Sequence, residues 1–192
     1  MLSSRSLATL SVAAFGIGVA SCGSSGSGAG APPTLVEDDA AAQSDPQLPP
    51  MGGANVEAWL AKGYFLQWRC ETAAHAARPP SPHGVDLVCS NNVISGAGGA
   101  GPFPAGAAAV KQIFDAVGGK VIGHAVYRKL AADSAGGAGW YWYENDPRFT
   151  PAILGDGVGG SPGEMGACVG CHRAAGPDFA ATARDFVYTQ IQ

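Results

Sequence analysis

Near the C-terminus of this 192-residue chain stands Cys168-Val169-Gly170-Cys171-His172. Two thiols three positions apart can each add to one of the two vinyl groups on a haem edge. The His that follows can then offer an imidazole nitrogen to the iron, and C-x-x-C-H is the attachment pattern of c-type haem. Gly170, between the thiols, has no side chain to obstruct a porphyrin. Other chemistry fits these residues less well. A thioredoxin-type redox pair needs a βαβ context that this sequence lacks. A structural zinc site needs two further close Cys or His ligands, and downstream of residue 22 only Cys70, Cys89, His75, His83 and His124 remain. A disulfide between Cys168 and Cys171 would be strained. The motif therefore predicts one covalently bound haem c, held by Cys168 and Cys171, with His172 as the iron ligand.

The chain has five cysteines, and the other three have separate assignments. Arg5, the apolar run Leu7 to Ala20 and the small residues before Cys22 have the layout of a secretory signal over residues 1–21. Val19-Ala20-Ser21-Cys22 resembles the lipobox of bacterial lipoproteins, in which the thiol is acylated. The alternative is a plain signal cut near Ala20 with Cys22 incidental. The Gly/Ser run Gly23 to Gly30 favours a lipid tether. The expectation is a lipoprotein of the bacterial cell envelope, on the periplasmic side, where disulfides persist. Cys70 and Cys89, 19 positions apart, are then expected to form a disulfide worth about 3 kcal/mol, the alternative being two thiols.

Glu37, Asp38, Asp39 and Asp45 lie among Pro, Ala and Gln without an apolar period, so residues 22–50 read as a flexible linker and 51–192 as one domain. With 29 Gly, 14 Pro and 14% charged residues, a coiled coil, a helical repeat array or an all-helix bundle is a poor description. A net charge of −4 and the lack of a basic stripe argue against a nucleic-acid partner.

The elements that must position the motif follow from periodicity. Asn55 can cap a helix carrying Val56, Trp59, Leu60 and Tyr64, ending at Gly63. Cys70 to Cys89, with Pro79, Pro80 and Pro82, reads as a loop. Val110, Ile113, Phe114 and Val117 predict an amphipathic helix closed by Gly118-Gly119, with Lys111 flanking its apolar stripe. Val121 to Leu130 reads as a strand and Ala131 to Ala138 as a turn. Trp140-Tyr141-Trp142-Tyr143 reads as a strand with indoles on one face and phenols on the other. An irregular Gly-rich segment from Gly155 to Gly163 follows, and Phe186 to Thr189 is a short strand candidate. The fold class expected is α+β, an antiparallel sheet with flanking helices.

Common small electron-transfer cytochromes place C-x-x-C-H near the N-terminus and a Met ligand far downstream. Here 20 residues follow His172 and none is Met. Phe103-Pro104-Ala105-Gly106, Val110-Lys111, Gly139 to Tyr143, Cys168 to His172 and Asp185-Phe186-Val187-Tyr188-Thr189 together resemble the cytochrome P-460 family, which includes the β-sheet type of cytochrome c-prime. The resemblance covers roughly the last 90 residues. It implies an antiparallel sheet, one haem near the C-terminus and an iron with His on one side only. The vacant sixth position binds nitric oxide or hydroxylamine. Family enzymes oxidise hydroxylamine and join a Lys covalently to the porphyrin; that Lys corresponds to Lys111. The family shows Asp where this chain has Ala105.

Further candidates each have a plain alternative. His124 is a distal ligand or an ordinary core or surface His, and His83 a turn residue or part of a loop over the haem. His75 has no supporting context. Glu144, Asp146 and Glu164 are distal acid/base candidates or surface carboxylates. Trp140 and Trp142 pack a core, conduct electrons, or both, and Arg148 and Arg173 could pair with haem propionates. Three classes stay open: a P-460-like enzyme or nitric oxide-binding relative, a plain monohaem electron carrier, and a membrane-tethered sensor or assembly module. The redox partner is unspecified, and monomer and homodimer both remain open.

Overall fold

The computed structural model describes residues 47–77, 81–98, 101–159, 165–174, 184–189 and 191. The signal segment 1–21, Cys22, most of the linker, Pro79, Pro80 and Glu164 lie outside them. A strand turns successive side chains to opposite faces. In Trp140-Tyr141-Trp142-Tyr143 that sends two indoles one way and two phenols the other, and all four are buried. Such a strand must lie in a sheet covered on both faces.

Among the described residues the sheet has seven strands: β1 (Arg69–Cys70), β2 (His75–Ala76), β3 (Val85–Ser90), β4 (Ala108–Phe114), β5 (Val121–Lys129), β6 (Trp140–Asn145) and β7 (Ile153–Val158). Every pairing is antiparallel, in the order β1-β3-β4-β5-β6-β7, with β2 also on β3. One face buries Val88, Ala109, Tyr127, Trp140 and Trp142 against Phe103, Val169, Phe186 and Val187. The other buries Cys89, Val110, Val126, Tyr141 and Tyr143 against Val56, Trp59, Leu60 and Phe65. Helix α1 (Gly53–Leu60) and the 3-10 turn Tyr64–Gln67 supply that second cover. A short helix, α2 (Asn92–Ser95), precedes β4, and helix α3 (Met165–His172) packs on the first face through Val169. Gly137 has φ of +114°, and a Cβ there would lie 2.6 Å from Val169 Cγ1, so glycine lets the turn before β6 pass close to α3.

The α+β class and the antiparallel sheet agree with expectation, as do strands β5 and β6 and the turn between them. Five local readings change. Residues 110–117 hold no helix: Val110, Ile113 and Phe114 belong to β4. This strand lies between β3 and β5 and is buried from both sides, so its apolar residues do not alternate and mimic a helical period. The 70–89 segment contains the end of β1, all of β2 and most of β3, with Cys70 opposite Cys89 and the two joined by a disulfide. Gly52, not Asn55, stands at the N-cap of α1, and the Asn55 amide donates to Met51 O instead. The Gly-rich segment after β6 begins with the regular strand β7. Phe186 to Thr189 is not a strand, because Asp185 and Phe186 have φ of +47° and +68° and leave only an isolated bridge between Arg184 and Val187.

Candidate functional site

Residues i, i+3 and i+4 share one side of a helix. In α3 these are Cys168, Cys171 and His172, and all three line a cavity of about 330 Å³ between α3 and the sheet. Small-molecule and cofactor sites span roughly 300–1,000 Å³. The sheet contributes Lys111 from β4, Tyr127 from β5, and Trp142 and Glu144 from β6, with Ala125 and Leu154 adding apolar wall. Register explains the set. Lys111 falls two residues after Ala109 and pairs with Ala125, while Tyr127 pairs with Trp142. Gly155 and Gly157 stand opposite Glu144 and Trp142, so β7 places no side chain at those two positions on this face.

The imidazole of His172 is held from several sides. Its Nδ1–H donates to the Phe186 carbonyl at 2.7 Å, which leaves Nε2 as the nitrogen with a lone pair. Ring edges meet Trp142 at 4.7 Å, Tyr188 at 5.3 Å and Tyr127 at 5.8 Å between centroids. Burial pushes the His172 pKa down to about 4, only partly offset by the Phe186 hydrogen bond, and the positive charge of Lys111 lowers it further. The ring is therefore neutral at pH 7. Tyr188 Oη donates to the Cys171 carbonyl at 2.6 Å, tying the C-terminal segment to the end of α3.

The Phe186 carbonyl is itself positioned. Asp185 accepts hydrogen bonds from the Phe103 amide at 2.7 Å, from Ser134 Oγ and from Lys129 Nζ. Lys129 is wholly buried, and its ammonium lies 5.2 Å from the Trp140 ring centroid. Sequence reading missed Lys129. Its only signal was a cation ending an apolar strand before a tight turn.

A polar wall faces the motif. His83 Nδ1 lies 3.0 Å from Glu144 Oε1, and both residues are buried. Arg148 donates to the His83 carbonyl at 2.7 Å and pairs with Asp146. Burial works against the Asp146 charge, but hydrogen bonds from Arg148 outweigh it and hold the carboxyl below the usual range.

The remaining sequence candidates separate. Lys111 and Glu144 reach the cavity, as does His83 from its loop. Lys111 Nζ also pairs with Asp86 at 3.3 Å. His124 does not reach it: the residue pairs with Gln112 and meets the Phe65 ring edge-on at 5.9 Å, on the opposite face of the sheet. Asp146 is occupied by Arg148, and Arg173 donates to the Gly136 carbonyl at 2.9 Å. Gly170 lies on the far side of α3 from the thiols, where a Cβ would meet nothing, so its lack of a side chain is not what clears the cavity. Of the two indoles, Trp142 lines the cavity and Trp140 lies in the core behind it.

This donor set fits a haem. Cys168 and Cys171 remain as thiols, beside a neutral imidazole, at the edge of a mainly apolar cavity. No protein-family model matches the chain, and no curated protein matches it.

Proposed function

We propose that this chain is an exported, lipid-anchored monohaem c-type cytochrome of the P-460 kind, with residues 51–192 as the haem domain, that binds small nitrogen ligands such as nitric oxide or hydroxylamine. One observation carries the reading: Cys168, Cys171 and His172 converge on one cavity with His172 Nδ1 already committed to Phe186 O. When bound, haem would supply the iron that takes such ligands and exchanges electrons.

The chain's own residues would do the rest. Cys168 and Cys171 would form the two thioethers and His172 Nε2 would ligate the iron. The Trp142, Tyr127 and Tyr188 rings hold the imidazole plane and keep water from it. Glu144, hydrogen-bonded to His83, can hold or move a proton at its carboxylate beside a ligand in the cavity. Lys111 faces the cavity from a strand, as the P-460 resemblance requires of a porphyrin-linked Lys.

The test is an absorption spectrum of the purified protein, oxidised and reduced, with and without nitric oxide. A covalent c-type haem that is lost in Cys168→Ala/Cys171→Ala and binds nitric oxide when ferrous is the expected result. A red-shifted, broadened Soret band that becomes ordinary in Lys111→Arg would identify the cross-linked, hydroxylamine-oxidising kind. A normal reduced c-type spectrum would exclude the cross-link.

A second reading, a periplasmic electron carrier, is favoured by His83. This second imidazole is buried and lines the same cavity as His172. Ferrous protein that refuses both nitric oxide and carbon monoxide, but accepts them in His83→Ala, would establish it.

A further inference from the structure

His83 is tied to one wall of the cavity at two points. Its Nδ1 lies 3.0 Å from Glu144 Oε1 on β6, and its carbonyl accepts from Arg148 Nη2 at 2.7 Å, in the turn just after β6. Its own amide donates to Ser81 Oγ at 3.4 Å, so the loop is bonded on both sides of the imidazole. His83 and Glu144 are both buried, and both line the cavity.

Arg148 is itself fixed. Its Nε stands 2.9 and 3.1 Å from Asp146 Oδ1 and Oδ2, Nη2 donates to Oδ2 as well, and the Arg148 amide donates to Oδ1 at 3.0 Å. Asp146 is wholly buried, and its amide donates to the Ala152 carbonyl at 2.8 Å. A guanidinium seated on both oxygens of a carboxylate keeps one orientation, where an ammonium would pivot. Gly84, the residue after His83, makes room for it: φ is +79°, and a Cβ there would lie 2.1 Å from Arg148 Nη1. The Arg148 side chain is 35% exposed and belongs to neither apolar cluster, so core packing does not account for the arrangement.

We propose that Arg148 is a positioning residue: held by Asp146, it keeps the His83 imidazole bonded to Glu144 and off the iron, so that the sixth position stays open to a small ligand. This role rests on the cavity holding a haem. A neutral His83 that donates from Nδ1 to Glu144 carries its lone pair on Nε2, the form in which an imidazole ligates a metal. The cavity thus contains a second imidazole able to compete with the ligand. To advance on the iron, His83 must give up its bond to Glu144, its bond to Arg148 or both, since both lead to the wall formed by β6 and the turn after it. While both hold, His83 and Glu144 serve the ligand's proton instead.

Absorption spectra of the haem-loaded full chain test this. The unchanged ferrous protein should bind carbon monoxide. In Arg148→Ala the freed His83 should take the sixth position and give a six-coordinate, low-spin spectrum. Apparent carbon monoxide affinity should fall about 10-fold, as follows when about nine molecules in ten hold His83 on the iron. Adding His83→Ala to Arg148→Ala should restore the affinity, which a collapsed cavity would not do. Arg148→Ala leaves buried Asp146 unpaired, so Asp146→Asn/Arg148→Gln, which strands no charge, serves as the second variant and should behave alike. Affinity unchanged in both variants, or a loss that His83→Ala does not reverse, would overturn the proposal. So would an unchanged protein that refuses carbon monoxide until His83→Ala is made. A chain that attaches no haem would instead fail the haem reading. The tie itself is then read by NMR in Cys168→Ser/Cys171→Ser: the His83 Nδ1 proton should exchange slowly, and lose that protection when Arg148→Ala is added. Equal protection in the two would count against Arg148.

Discussion

His172 donates its Nδ1 proton to the carbonyl of Phe186, a residue held in the left-handed region at φ +68°. The neighbouring Asp185, also left-handed, is clamped by Lys129, Ser134 and the Phe103 amide. One buried ion pair therefore sets the carbonyl that sets the imidazole.

Asp185→Ala should test that chain of support. It strands the wholly buried Lys129 without its carboxylate, and breaking a buried pair by removing one partner costs about 3–5 kcal/mol. Denaturant unfolding should show the loss. Lys129→Met/Asp185→Leu, which removes both charges, should recover most of it; a double variant as unstable as the single one would contradict this account.

Acid should weaken the chain when no haem is bound. His172 has an ordinary pKa of 6.5 when unfolded and about 4 when folded and buried. Between those values the unfolded chain binds the extra proton, so stability is present above 6.5 and is lost as pH falls toward 4. His124, lowered by its own burial, adds in the same direction. Urea midpoints at pH 7, 5.5 and 4.5 should fall in that order, less steeply in His172→Leu. An unchanged slope in the variant would assign the effect elsewhere.

The disulfide closes a loop across 19 positions and joins directly opposed residues of β1 and β3. Cys70→Ser/Cys89→Ser should cost about 3 kcal/mol in unfolding free energy, since loop closure restrains mainly the unfolded chain. Because Cys89 also sits in the core, a loss under about 1 kcal/mol would mean that the unfolded chain is already restrained there.

Glu144→Gln keeps the shape of the His83 contact and removes the proton-accepting carboxylate. If the protein oxidises hydroxylamine, turnover should drop by about 100-fold, the low end for general acid–base groups, while nitric oxide affinity stays within a few-fold. An equal drop in both would make Glu144 a packing residue of the cavity.

Much of the arrangement was legible from local pattern. C-x-x-C-H places its three donors on one helix side wherever that segment is helical, because i, i+3 and i+4 lie within a narrow arc. The Trp/Tyr alternation of residues 140–143 announced a strand with indoles on one face and phenols on the other, and the structure buries both faces. The central strand β4 was illegible for the opposite reason. Buried from both sides, its residues do not alternate, so its apolar spacing fitted a helix and hid that Lys111 faces the cavity. Periodicity cannot separate a short helix from a doubly buried strand, and only the neighbours decide.

The sequence by itself determined the donor types, their spacing, the α+β class and the pairing partners available to five cysteines, since these depend on residue identity and short-range geometry. Tertiary structure decided which distant residues meet them. Cross-strand register selected Lys111 and Glu144 for the cavity and sent His124 to the opposite face. A left-handed backbone at residues 185 and 186 turned what looked like a strand into the support for His172. The pairing of β2 with β3 brought His75 to Asp86. Such contacts come from long-range packing, where one residue of register reverses every side chain, and no local pattern records that choice.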